Sequence, residues 1–229
     1  MHFKTRFLLG VASLVVAAPL SATPIANGQC AGPSPCSAAL DLWATITNPG
    51  TGLFSLQQNF SIGGFDGYLL SRVARNTTTN QLDFYYQVVS RPTSTNALTR
   101  VASDAFAPFT TNVGYVTFDV DGAVAMFGDA GAAGQAPTSV DRTATGSLGF
   151  NFPASIAGAS LTAGETSHTI VVRTNATNYV MNSSFQVTQG GTTSTITGMI
   201  APTAVPEPGT YMLIGAGLVA LGLWRRAHQ

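Results

Sequence analysis

Asp119-Val120-Asp121-Gly122 is the one acidic cluster whose spacing suits a chemical task. Calcium takes several oxygen ligands, and a D-x-D-G turn can offer two carboxylates together. Asp129 follows ten residues after Asp119, so a calcium-holding or sugar-binding loop is one reading of the three aspartates. The EF-hand pattern fails for want of the closing Glu, and Asp-Gly turn formation accounts for the same residues. Other carboxylates raise the question of glycoside hydrolysis, which needs a pair of them. Asp41, Asp66, Asp83, Asp104, Asp141 and Glu165 complete the set between residues 23 and 204, and most sit beside Gly or at strand ends. One histidine falls in that span, His168 in Ser167-His168-Thr169-Ile170-Val171-Val172. It lacks the companions of a zinc site, and no G-x-S-x-G elbow supports a triad. It reads as an exposed strand residue. Cys30 and Cys36 enclose five residues, with no C-x-x-C spacing, and read as a disulfide of an exported protein. Tyr85, Tyr115 and Tyr179, with Tyr68 and Trp43, are aromatic candidates for stacking on sugar rings, or for a β-sheet core. Asn59, Asn76, Asn175 and Asn182 each begin an N-x-[ST] triplet and read as solvated turn or strand positions.

The elements that must position these residues are short strands. Val, Thr, Phe and Tyr recur in runs separated by Gly, Asn, Asp and Pro, and no convincing helical period interrupts them. Strands are expected at 42–47, 67–75, 81–90, 113–120, 148–152, 168–174, 179–188 and 192–200. Segments 67–75 and 81–90 form a hairpin through Asn76-Thr77-Thr78-Thr79-Asn80. Within it Phe84, Tyr86 and Val88 share one face, while Asp83, Tyr85 and Gln87 share the other, the mark of a half-buried strand. Residues 130–145 read as a long loop. The fold expected for 23–204 is a single all-β domain, an antiparallel β-sandwich of jelly-roll-like or immunoglobulin-like type.

Charge narrows the function classes. Only 9% of the 229 residues are charged, against roughly 25% in an ordinary soluble protein. Ten basic and ten acidic residues balance, so nothing equips the chain to neutralise a phosphate backbone, and a nucleic-acid partner is not expected. The balance is uneven along the chain. Lys4, Arg6, Arg225, Arg226 and Glu207 lie in the end segments. That leaves six arginines and no lysine against nine carboxylates in residues 23–204, a formal charge of −3.

Those end segments read as addresses. Lys4 and Arg6 precede an apolar run over 7–18, then the small residues Ser21-Ala22. This is the layout of a secretory signal peptide over residues 1–22, cleaved after Ala22 or, alternatively, after Ala26. Export machinery is the partner it implies. Near the other end, Pro206-Glu207-Pro208 blocks helix continuation and is followed by an apolar helix at 211–224, bracketed by Tyr211 and Trp224, then Arg225-Arg226. Gly215-Ala216-Gly217-Leu218-Val219-Ala220 matches a dinucleotide fingerprint by coincidence, since no strand or downstream carboxylate accompanies it. A 14-residue apolar stretch is short for a stable span, which suits transient membrane insertion.

Pro206-Glu207-Pro208, the apolar helix and the arginine pair, spanning residues 205–229, resemble the PEP-CTERM sorting signal of Gram-negative bacteria. The resemblance implies recognition by an exosortase-like membrane enzyme. It also implies association with the membrane before processing, then delivery to the cell surface or the exopolysaccharide matrix. It implies nothing about the activity of residues 23–204. Two readings follow: a non-enzymatic structural or adhesive matrix protein, or a carbohydrate-binding module or weakly marked polysaccharide hydrolase. Extracellular polysaccharide is the ligand class either would meet. No cofactor other than calcium is expected.

Overall fold

The computed structural model describes residues 23–32, 36, 51–116, 120, 127, 135–152, 161–204, 214, 218, 225 and 226. In chain order the strands are β1 (Thr23–Pro24), β2 (Cys30–Ala31), β3 (Thr51–Ile62), β4 (Phe65–Arg75), β5 (Leu82–Ser90) and β6 (Arg100–Ser103). A 3-10 turn at Asp104–Phe106 precedes β7 (Thr111–Val116). Then come β8 (Ser139–Arg142), β9 (Leu148–Asn151), β10 (Thr169–Thr174), β11 (Asn178–Gln189) and β12 (Thr192–Thr203).

Two antiparallel sheets result, ordered β1-β7-β10-β5-β4-β3 and β12-β11-β6-β9-β8-β2. The longest hairpins, β3–β4 and β11–β12, close on Gly63-Gly64 and Gly190-Gly191, with φ of 53° then 88° in each pair. Positive φ at both central residues gives a turn whose twist matches that of the flanking strands, and glycine adopts it without steric cost. The β4–β5 turn uses another device: the Asn76 carboxamide accepts from the Thr78 and Thr79 backbone N–H groups at 2.9 and 3.1 Å.

One apolar cluster joins the facing surfaces of the sheets. Leu69 and Val73 of β4, Phe84, Tyr86 and Val88 of β5, and Ile170 and Val172 of β10 pack with Phe150 of β9, Phe185 and Val187 of β11 and Ile200 of β12. The Tyr86 hydroxyl crosses this core and donates to the Ile200 carbonyl at 2.7 Å. The all-β, antiparallel expectation holds. The expected hairpin forms, and strands overlapping those expected at 113–120, 148–152, 168–174, 179–188 and 192–200 form as well.

Three expectations need correction. The β5 alternation assigns faces correctly, but the strand is buried on both. A second apolar cluster of Leu70, Ala74, Tyr85, Val116, Phe127 and Val171 covers the outer face of the first sheet. The loop expected at 130–145 contains β8, which pairs with β9 and β2. β3, absent from the expectations, pairs with β4 along its length as an edge strand. The Gln57-Gln58-Asn59 run and the bulge between Gly52 and Phe54 break its apolar period. Residues 1–22, the strand expected at 42–47 and Pro206-Glu207-Pro208 lie outside the described residues. Of the helix expected at 211–224, Ile214 and Leu218 are described. They are helical and exposed, as are Arg225 and Arg226. Among the described residues no helix is long and apolar enough to cross a membrane.

Candidate functional site

One rung of the first sheet carries the polar residues of interest. Asn112 of β7 pairs with Arg173 of β10, and Arg173 pairs with Asp83 of β5. Residues paired across antiparallel strands share a face. This row therefore lies on the outer face of the sheet, one step beyond the Tyr85–Val171 cluster. Arg173 Nε donates to Asp83 Oδ2 at 3.0 Å. The Asp83 side chain is only 3% exposed, against 30% for Arg173. Burial pushes the Asp83 carboxyl up to about 6, and the Arg173 charge and hydrogen bond pull the other way. Burial, reinforced by the Asp83 charge, also raises the Tyr85 phenol well above its usual range.

A cavity of about 270 Å³ opens on this row, lined by Asp83, Arg173, Asn112, Asn175, Asn76 and Thr110 among others. A second of about 430 Å³ adjoins it and shares Thr110, Asn112 and Asn175 with it. Pro24, Pro108 and Phe109 give that larger lobe an apolar wall. Arg142 lines it as well, yet its guanidinium is committed. It donates to the carbonyls of Ile25, Phe106, Ala107, Phe109 and Gly146, and to the Thr111 hydroxyl. Burial lowers the Arg142 pKa. This buried cation ties β1, the 3-10 turn and the β8–β9 turn together. The Asn175 carboxamide accepts from the Thr110 N–H at 3.0 Å, joining the two lobes.

The remaining described carboxylates lie elsewhere. Asp66, at the opposite end of β4, accepts from Arg91 Nη1 at 2.9 Å and from the Thr93 hydroxyl at 2.9 Å. Asp141, on β8 of the second sheet, takes both Nη groups of Arg100 and one hydrogen bond from Asn151. Burial would raise Asp141, but the hydrogen bonds from Arg100 and Asn151 and the Arg100 charge outweigh it and hold the carboxyl below its usual range. Glu165 Oε2 accepts from the Thr162 N–H at 2.5 Å.

The sequence candidates are redistributed accordingly. Tyr85 does not face solvent; it is 1% exposed. Tyr115 is half-buried and stacks on His168 with centroids 5.4 Å apart. His168 itself is buried at 8%, contrary to the expected exposed position, because it precedes β10 and lies against Tyr115. Tyr68 sits under the Arg91 guanidinium, and Tyr179 packs against the main core. Cys30 and Cys36 form the expected disulfide, with Cα atoms 5.0 Å apart. Asp119, Asp121 and Asp129, like Trp43 and Asp41, lie outside the described residues. Among the described residues no three His, Cys, Asp or Glu side chains gather as a metal site. Sequence reasoning missed the Asn112–Arg173–Asp83 row. Its only trace is an arginine that ends the apolar run Thr169-Ile170-Val171-Val172.

Comparison with known proteins bears on one segment. A family model described as the PEP-CTERM protein-sorting motif matches residues 204–227. The chain carries a PEP-CTERM sorting signal. This signal implies an exported, sorted protein and an exosortase-type processing partner. It lies next to β12, whose last residue is Thr203, so the address follows directly on the folded body. No curated protein and no solved structure matches the chain.

Proposed function

We propose that residues 23–204 are a non-enzymatic structural or adhesive body, delivered to the cell surface or the exopolysaccharide matrix by the PEP-CTERM signal. The observation that carries this reading is the dispersal of the described carboxylates, of which Asp66, Asp83, Asp141 and Glu165 are each held by their own partner while Asp104 is exposed on the 3-10 turn. Asp83 pairs in register with Ala74 and Asp66 with Ser61, eight residues apart along β4. At about 3.3 Å per residue they stand about 26 Å apart. Two-carboxylate glycosidases need roughly 5–10 Å. Asp141 is on the other sheet. Three of these carboxylates are held by arginines and Glu165 by a backbone N–H, so the arrangement supports a scaffold better than general acid–base catalysis.

The low charge density fits a hydrated, hydroxyl-rich neighbourhood. Exposed Thr193, Thr195 and Thr197 of β12 present hydroxyls without charge. Replacing Pro206-Glu207-Pro208 by three alanines tests delivery. The expected result is an unprocessed chain retained in the membrane fraction, seen as a larger band on immunoblots of fractionated cells. A variant with wild-type size and location would refute the sorting role. Incubating the wild-type chain with neutral polysaccharides should release no new reducing ends, and measurable release would refute the non-enzymatic part.

A further inference from the structure

We propose that the two-lobed groove across this end of the sandwich binds a chain of neutral polysaccharide. The proposal rests on the matrix reading above and names the ligand class of the adhesive body. Four observations converge on it.

First, the lobes adjoin and share Thr110, Asn112 and Asn175 as lining, so together they suit neighbouring units of a polymer better than a single compact molecule. Their volumes, about 270 and 430 Å³, are close to or within the range of small-ligand sites. Second, the groove is polar and its charged side chains are already committed to partners within the protein. Asp83 is neutralised by Arg173, and Arg142 directs its donors to backbone carbonyls. The Arg142 charge has no carboxylate beside it, but its donors are spent on the protein, whereas ligand hydroxyls can both donate to and accept from a carboxamide such as that of Asn112. Third, the two lobes differ in kind. Pro24, Pro108 and Phe109 offer a surface for the C–H face of a sugar ring, and the Asn112–Arg173–Asp83 row offers hydrogen bonds to its hydroxyl edge. Fourth, the polar row is rigid, and its Asn112 end is open to solvent. Its residues lie on three hydrogen-bonded strands, so little is lost in ordering them. The Asn112 carboxamide is exposed and makes no hydrogen bond among the described residues. It holds one acceptor and two donors ready for a ligand.

Affinity electrophoresis of the full chain in mild detergent tests this. Native gels are cast with dextran, mixed-linkage β-glucan or galactomannan, and with alginate as a polyanionic comparison. At least one neutral polymer should retard the wild-type chain, and alginate should not. Asn112→Ala, a surface change, should weaken retardation by up to about tenfold, the loss of one good hydrogen bond. Asp83→Asn should weaken it further. Thr195→Ala, on the exposed outer face of the other sheet, should leave it unchanged. Thermal unfolding confirms that each variant is folded; if Asp83→Asn is not, Asn112→Ala decides alone. Equal migration in all three neutral gels, retardation by alginate alone, or full retardation of Asn112→Ala would overturn the proposal. Cell fractionation keeps the two readings apart. A wild-type chain that reaches the surface but is not retarded refutes the groove alone, and one that never reaches the surface refutes the matrix reading.

Discussion

Asp83 sits between opposing influences. Burial raises its carboxyl to about 6 from an ordinary 3.8, despite the neighbouring Arg173. The folded chain therefore holds this proton more tightly than the unfolded chain, and protonation favours folding. The Asp83 contribution to stability grows as pH falls from about 6 to 4 and is lost as pH rises through 6. Asp141 has the opposite sign. Its carboxyl is lowered, so its contribution is present above the ordinary carboxylate range and disappears as pH falls below it. Asp83→Asn removes the first effect and keeps the second. Between pH 7 and 4 the wild type should gain roughly 2 kcal/mol relative to this variant, read from urea midpoints. Tyr86 provides a second test at this scale. Its hydroxyl donates to the Ile200 carbonyl inside the core, where water cannot replace it. Tyr86→Phe strands that carbonyl and should cost about 1–3 kcal/mol in denaturant unfolding, with the fold retained.

Among the elements, β1, two residues long like β2, is the most informative. Only Thr23 and Pro24 pair with β7, but Ile25 just after them is 3% exposed and its carbonyl takes Arg142. Cleavage of a leader after Ala26 would remove β1 and Ile25 and leave the buried Arg142 guanidinium short of an acceptor. The mature chain is therefore expected to begin no later than Thr23, which intact mass measurement or N-terminal sequencing decides. A mature chain starting at Asn27 would contradict this. The hairpins show what was legible at this scale. Alternation of Phe84, Tyr86 and Val88 against Asp83, Tyr85 and Gln87 identifies β5 and its two faces. It carries no sign that Phe127 and neighbouring apolar residues cover the outer face, because that contact is made by a distant part of the chain. β3 was hidden for a local reason, its polar run of Gln57, Gln58 and Asn59, which an edge strand tolerates because water reaches it.

For the whole molecule, scarcity of charge becomes a matter of placement. Five of the six arginines of residues 23–204 have a clear place in the fold: Arg91, Arg100 and Arg173 each hold an aspartate, Arg142 holds carbonyls, and Arg75 binds the Asn80 and Thr177 carbonyls. The Arg91–Asp66 and Arg100–Asp141 pairs are partly exposed, and such pairs contribute little; the Arg173–Asp83 pair has a buried carboxylate that salt screens weakly, and a formal charge of −3 repels itself only weakly. The thermal midpoint should thus move by less than about 2 °C between low and high sodium chloride, measured by differential scanning calorimetry; a larger shift would mean that these pairs matter more than their exposure implies. The sequence by itself determined the address and the architecture class. A sorting signal is read as a linear string, and strand alternation is a property of neighbours along the chain. Tertiary structure alone decided where the chemistry gathers. Asp83, Asn112 and Arg173 are 29 and 61 residues apart in succession. No local pattern links them; hydrogen-bonded register between β5, β10 and β7 places them on one rung, and burial there sets the Asp83 proton affinity.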